Sequence, residues 1–200
     1  MLVSGIKSRP VYPGFRVEAN SARHLFILEG EGAKALLDLA DKDASFLPKA
    51  QILYVAAGAA PKDYETQIRA RKPDDLWCAP SIPVLLNRLK AELARATTRT
   101  RIYVAGTEGF IGQAMQECMD AGVNHHSIIT EHRGSEARRV QCVHCKGITE
   151  NVTTSPYKCS HCGLDLLVRD HYSRRIGAFQ GVNIDAEEPG TAPAPEVLFP

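Results

Sequence analysis

The chain has 200 residues, of which 44% are hydrophobic and 24% charged, and its net charge is +1. That length suits one medium domain or a domain with a small appendage, and the near-neutral balance gives no global reason to expect nucleic-acid or membrane binding. No apolar run approaches the roughly 20 residues that span a bilayer, and the start, MLVSGIKSRPVYPGF, carries no apolar core of a secretory signal. The expected location is therefore the cytoplasm, where thiols stay reduced.

Residues 1–22 hold two prolines and two glycines without a sustained period, and read as an arm lying on a surface. From His24 the pattern becomes regular. HLFIL is of strand length, GEG follows, and AKALLDLA has helical spacing. ILYVAA reads as a second strand, PKDYETQIRAR as a polar helix opened by a proline, and DLWCA as a short strand. SIPVLLNRLKAELARA starts on a Ser cap and sets Val84, Leu85, Leu89 and Leu93 along one helical stripe. RIYVAG is strand-like, TEGFIGQAMQECMDAG is a helix closed by Gly122, and SIITEH is a last strand. Strand–helix alternation with near-continuous apolar strands predicts an α/β fold with a Rossmann-like parallel sheet over residues 23–134.

The character changes after Gly134. Residues 133–175 hold eight Lys or Arg against four Asp or Glu. Residues 135–184 carry two Cys-x-x-Cys pairs, in QCVHCKGITENVTTSPYKCSHCGL, and are expected to form a small zinc-ribbon or rubredoxin-like domain. Residues 185–200, DAEEPGTAPAPEVLFP, are acidic and rich in proline and alanine, and read as an extended tail with a frayed end.

Cys142, Cys145, Cys159 and Cys162 are the candidate metal ligands. Each Cys-x-x-Cys turn places two thiolates on one edge of a metal, and the 13 residues between the pairs suit a hairpin excursion. Gly147 and Gly163 follow their pairs where tight turns are needed. Tetrahedral four-sulfur sites hold zinc or iron and the spacing serves both; zinc is the expected ion, with iron as the alternative. Four thiolates fill the tetrahedron, which leaves His144 and His161 exposed. Cys78 and Cys118 stand alone in apolar surroundings and read as small buried hydrophobes. No role falls to His125, His126 or His132.

LEGEGAKALLD places a glycine turn between the first strand and its helix, where backbone N–H groups can meet a phosphate. Glu29 and Glu31 flank those glycines and would repel a pyrophosphate, so a tight turn without ligand is the expectation. The stretch RIYVAGTEGFIGQAMQECMDAGVNHHSIITEHRG resembles the end of the nicotinamide-binding domain of ferredoxin reductases. Here the turn reads Ala105-Gly106-Thr107 in place of that family's Cys-Gly-Pro, and ILYVAAGAA lacks its Ser-Arg pair for the NADP phosphate. Gly30, Gly32, Gly106 and Thr107 thus mark a vestigial nucleotide loop. The roughly 22 residues ahead of the sheet leave no room for that family's flavin barrel, so a complete reductase is not expected.

Together with RVQCVHCKGITENVTTSPYKCSHCGLDLLVRDHYSRRIGAFQGV, these features resemble the small subunit of bacterial dimethylamine monooxygenase, of the haem-dependent oxidative N-demethylase type. The resemblance implies a complex in which a haem subunit converts dimethylamine and O2 to methylamine and formaldehyde. A flavin and iron–sulfur reductase would supply electrons from NADPH. Haem, FMN and [2Fe–2S] are then expected in partner subunits and not in this chain. This chain would be a non-catalytic subunit packing on the haem subunit, or alternatively a rubredoxin-like carrier between reductase and haem. Arg138, Arg139, Arg169, Arg174 and Arg175 are the candidate docking residues on a surface braced by the ribbon. Nucleic acid is not expected as a partner, since the ribbon has few aromatic rings for stacking, Tyr157 and Tyr172 among them.

Overall fold

Strand β1 (Arg23–Glu29) is buried from His24 onward, and its side chains alternate between two cores. Phe26 and Leu28 enter one core; Leu25 and Ile27 enter the other. A strand apolar on both faces must be covered on both faces. Helices α1 (Gly32–Lys42) and α2 (Glu65–Ala70) supply the first cover, through Leu36, Leu39 and Ile68. Helices α3 (Ile82–Leu93) and α4 (Glu108–Asp120) supply the second, through Leu85, Leu89, Phe110 and Ile111. Strands β2 (Ala50–Val55), β3 (Asp75–Ala79), β4 (Thr100–Gly106) and β5 (Ile128–His132) complete a parallel sheet of order β3-β2-β1-β4-β5. The order reverses at β1, which pairs with β2 on one side and β4 on the other. In an open α/β sheet this switch point, at the carboxyl ends of the strands, is where ligands bind.

The computed structural model describes residues 8–57 and 63–200. These fall into two compact units: residues 12–134 form the sheet unit, and residues 8–11 join residues 135–200 in the second. The proline expected to open the second helix lies outside the described residues, and α2 runs from Glu65. The arm is more than a surface strap, because residues 12–22 belong to the sheet unit. Gly14 donates its N–H to the Thr130 carbonyl at 3.1 Å, and the Phe15 ring meets Phe26 and Tyr103 edge-on. In α3 the buried stripe is Leu85, Leu89 and Leu93, whereas Val84 is 42% exposed. Glu92 takes a place on the buried side instead. Burial disfavours its charge, but the hydrogen bond from Arg23 and the guanidinium charges of Arg95 and Arg88 outweigh burial and hold its carboxyl below the usual range.

The second unit is a five-stranded sheet of order β7-β6-β11-β10-β9. Strands β6 (Arg138–Cys142) and β7 (Ile148–Val152) form one antiparallel hairpin. A pair of two-residue strands, β8 (Thr154–Ser155) and β9 (Tyr157–Lys158), follows. Strand β9 forms a second hairpin with β10 (Asp165–Ser173), and β11 (Ala178–Asn183) lies antiparallel to β10 but parallel to β6. Strand β10 alternates strictly, with Leu166, Val168, Asp170 and Tyr172 buried.

The chain end does not fray. Strand β12 (Glu196–Val197) pairs with β8, and the N–H groups of Leu198 and Phe199 both reach the Thr153 carbonyl at 3.0 Å. Pro200 accepts at its carbonyl from the Ser135 hydroxyl and the Glu136 N–H. Phe199 is buried in the same core as Val140, Leu166 and Phe179. Its ring and that of Phe179 each lie 4.0 Å from the Arg138 guanidinium. Arg138 is thereby buried, and its charge is met by Asp170 at 2.8 Å in an ion pair whose angle is not that of a hydrogen bond.

Replacing Phe199 with alanine is expected to cost about 3 kcal/mol, since it removes a buried ring and half of the sandwich around a buried cation. Chemical denaturation of the full chain reads this out. Val197→Ala, at a side chain 68% exposed, should change stability by less than about 0.5 kcal/mol.

Candidate metal centre and sheet crevice

The four ribbon cysteines converge as their spacing predicts. Their Sγ atoms all lie within 4.8 Å of one another, with Cys142 to Cys162 at 3.9 Å and Cys145 to Cys159 at 3.8 Å. A tetrahedron with metal–sulfur bonds of about 2.3 Å has edges of about 3.8 Å. The donor set therefore fits a zinc or iron ion, and its geometry favours neither. These separations also exclude a disulfide, whose sulfurs stand about 2.05 Å apart.

Each hairpin builds its knuckle in the same way. The Cys142 N–H donates to the Gly147 carbonyl at 2.9 Å, and the Lys146 N–H returns to the Cys142 carbonyl at 3.0 Å. In the second knuckle Cys159 and Leu164 pair at 2.9 Å, and Gly163 returns to Cys159 at 3.0 Å. The residue that turns left-handed is Lys146 at φ 64° in the first knuckle and Gly163 at φ 76° in the second. Gly163 thus does what the sequence suggested. Gly147 serves another end: a Cβ there would overlap the ring of His161. That ring, though solvent-exposed, reaches the Ile148 carbonyl through Nε2 at 2.9 Å, and so ties one knuckle to the other. Thr149 and Ser160 add a second tie at 2.9 Å between their hydroxyls. His144 is exposed.

Crowding governs the ionisation of the cluster. Burial resists charge on Cys159, but the backbone N–H groups of Cys162 and His161 outweigh it and lower its thiol. The Leu164 N–H favours the Cys162 thiolate, yet burial and the three neighbouring sulfurs prevail and raise it. One thiolate forms readily and the next is opposed, which is the arrangement a divalent cation relieves. The remaining cysteines differ. Burial pushes the Cys118 thiol up to about 12 and the partly buried Cys78 thiol up to about 11, so neither is a ready nucleophile.

The glycine loop residues also come together, at the carboxyl ends of β1 and β4. Gly30 is left-handed at φ 48°, and a Cβ on it would sit 2.5 Å from the Ala57 carbonyl. A Cβ on Gly32 would overlap the Ala105 carbonyl and the Gly106 nitrogen. These glycines let the loop press onto the ends of β2 and β4. Thr107 caps α4, and its hydroxyl accepts from the Phe110 N–H. Glu29, the last residue of β1, turns its carboxylate onto the same cap. Glu31 lies outside, paired with Lys34 at 2.9 Å.

The five docking arginines do not form one surface. Arg138 is enclosed by Phe179, Phe199 and Asp170, which removes it from any docking role. Arg139 is spoken for by Glu150 at 2.8 Å and by the Ile176 carbonyl at 3.1 Å. Arg169, on the outer face of β10, and Arg174 and Arg175, in the turn to β11, are exposed. The alternation of β10 separates exposed Arg169 from buried Asp170 in the sequence, but the burial of Arg138 depends on a ring some 60 positions away that has no local signal.

Replacing any of the four ligands by serine should abolish stoichiometric metal binding and loosen the ribbon, whereas Cys78→Ser leaves metal content unchanged; elemental analysis and near-ultraviolet dichroism decide it. Binding displaces thiol protons, so apparent affinity falls as pH falls, by about tenfold per pH unit for each proton displaced. A chelator titration at several pH values tests that slope.

Comparison with known proteins places the chain. Residues 4–128 match the N-terminal domain, and residues 139–182 the C-terminal domain, of the dimethylamine monooxygenase subunit DmmA-like proteins. The chain is 28% identical over 182 residues to the heme-dependent oxidative N-demethylase delta subunit of Ectopseudomonas mendocina (strain ymp), covering 91% of each protein. Among solved structures it is similar to the ferredoxin reductase of carbazole 1,9a-dioxygenase, at 15% identity and TM-score 0.43, over 59% of this chain and 34% of that one. It is also similar to the FAD/NAD-binding domain of a nitric oxide dioxygenase from Vibrio cholerae, at 20% identity and TM-score 0.41, over 62% and 56%. This chain spans about a third of that ferredoxin reductase. On the match across both of its domains, the chain belongs to the dimethylamine monooxygenase subunit DmmA-like family.

Proposed function

We propose that this chain is a non-catalytic subunit of a haem-dependent monooxygenase complex that oxidises dimethylamine to methylamine and formaldehyde with O2 and NADPH. The observation that carries the reading is the closed coordination set of Cys142, Cys145, Cys159 and Cys162. Four protein thiolates saturate a tetrahedral ion and leave no position for substrate or water, which is the arrangement of a structural centre. With zinc bound, the centre supplies a crosslink and no redox change. The chain's own residues then do the organising: the knuckles fix two hairpins, and the hairpins fix the strand that carries Arg169 and the turn that carries Arg174 and Arg175. These three cations form the docking face of a ribbon of residues 135–184. Its partners are the haem-bearing subunit and a flavin and iron–sulfur reductase, which hold the haem, FMN and [2Fe–2S] groups. The complex works in the cytoplasm.

A second reading rests on the uneven exposure of the ligands. Cys142 and Cys159 are buried, Cys145 is exposed and Cys162 is intermediate, so one edge of the centre faces solvent. A single iron held there would be open to electron exchange with a partner, and the chain would relay electrons from reductase to haem.

Elemental analysis of the purified complex separates the two. One zinc and no iron per chain supports the organising role; one iron with a visible band that bleaches on reduction establishes the relay. Reversing Arg169, Arg174 and Arg175 to glutamate should weaken association with the haem subunit by tenfold or more at low salt, with wild-type metal content retained. Unchanged association would remove these residues from the interface, and a chain that purifies from its native source without a haem partner would overturn the subunit reading.

A further inference from the structure

Glu29 is only 5% exposed. Its Oε2 accepts from the Thr107 backbone N–H at 2.8 Å and from the Thr107 hydroxyl at 2.7 Å. Those two groups are its polar partners among the described residues, and no cation answers its charge. A buried carboxylate without a counter-charge is costly unless oriented dipoles replace the water it has lost. Here the dipoles are those of α4, a helix of 13 residues whose N-cap is Thr107. A helix N-terminus at the switch point of a doubly wound sheet is a ready seat for an anionic group.

Two further features agree. Gly106 is at φ 152°, and a Cβ on it would lie 2.7 Å from the Glu29 carboxylate, so the backbone is shaped around that side chain. Across the neighbouring strand end, the Phe15 N–H donates to Glu131 at 2.7 Å, and the Tyr12 hydroxyl reaches Glu108, the first residue of α4, at 2.9 Å. The arm thus ties down the rim of the same crevice.

From this geometry we infer that Glu29 is a built-in ligand of the crevice. Its carboxylate stands where an anion bound at the α4 N-terminus would, and the sheet unit holds its liganded arrangement with no nucleotide. The inference concerns the sheet unit alone and stands whether or not the proposed role in the complex holds. It assigns the coenzyme of any such complex to another chain, and makes this subunit indifferent to coenzyme concentration.

The test compares the full-length wild type with Glu29→Ala, using calorimetric titration of NADPH and thermal unfolding in inorganic phosphate or in potassium chloride of equal ionic strength. Wild type should give no binding heat, and its midpoint should be the same in both salts. Glu29→Ala should fold with a lower midpoint that phosphate, and not chloride, partly restores, because an anion refilling the seat stabilises the folded state by mass action. Saturable NADPH binding to wild type overturns the inference. So does a Glu29→Ala midpoint equal to wild type, or a lowered one that phosphate does not raise. If Glu29→Ala does not fold, Glu29→Ser, whose short side chain also empties the seat, takes its place under the same readings.

Discussion

Four sulfur atoms within 4.8 Å of one another are the constraint on which the C-terminal unit rests. As thiolates they would repel one another at such separations. A divalent ion reverses the sign of the interaction and turns the four into a crosslink between two hairpins. In a unit with so small a core such a link would add much of the stability. The rest follows from it. Cys142 and Cys159 form part of the core that also holds Val140, Leu166 and Phe179. That core seats the Arg138 guanidinium, and the guanidinium in turn seats Phe199.

The sheet unit meets the same difficulty by different means. It buries two carboxylates, Glu29 and Glu92, and compensates each from within. Glu92 gathers three guanidinium groups, while Glu29 relies on the cap of a helix. Where a doubly wound sheet ordinarily offers those helix donors to a ligand, this one has turned them inward. The glycines of the loop fit that use, for they bring backbone against backbone.

Much of this was legible in the sequence because it is local. Continuous apolar strands, helical stripes and the Cys-x-x-Cys spacing each follow from neighbours a few positions apart, and they located the five strands and four α-helices described in the sheet unit and the convergence of the four cysteines. What escaped is long-range. The seat of Arg138 needs Phe199, and basic residues in a row look alike whether one of them is enclosed or not. An acidic, proline-rich tail reads as unstructured, yet its last residues supply a strand and an aromatic ring. Val84 sits on the edge of its stripe, where Glu92 can be buried instead because arginines at 23, 88 and 95 converge on it. Lys146 adopts the left-handed turn that a reader assigns to the adjacent glycine, since only the paired knuckle at Gly163 reveals which position must turn.

The second unit is assembled from segments on either side of the sheet unit. Ser8 bonds the Asp170 carbonyl and Arg9 pairs with the Asp170 carboxylate, joining positions 162 residues apart in the first case, while Pro200 closes on Ser135 and Glu136. The sheet unit between them is contiguous. During synthesis from the N-terminus, the sheet unit has its whole sequence available while most of the ribbon has yet to emerge. The ribbon, by contrast, closes only once residues 196–200 are available, and it then takes in residues 8 and 9 from ahead of the sheet unit. The connectivity thus sets closure of the ribbon after that of the sheet unit.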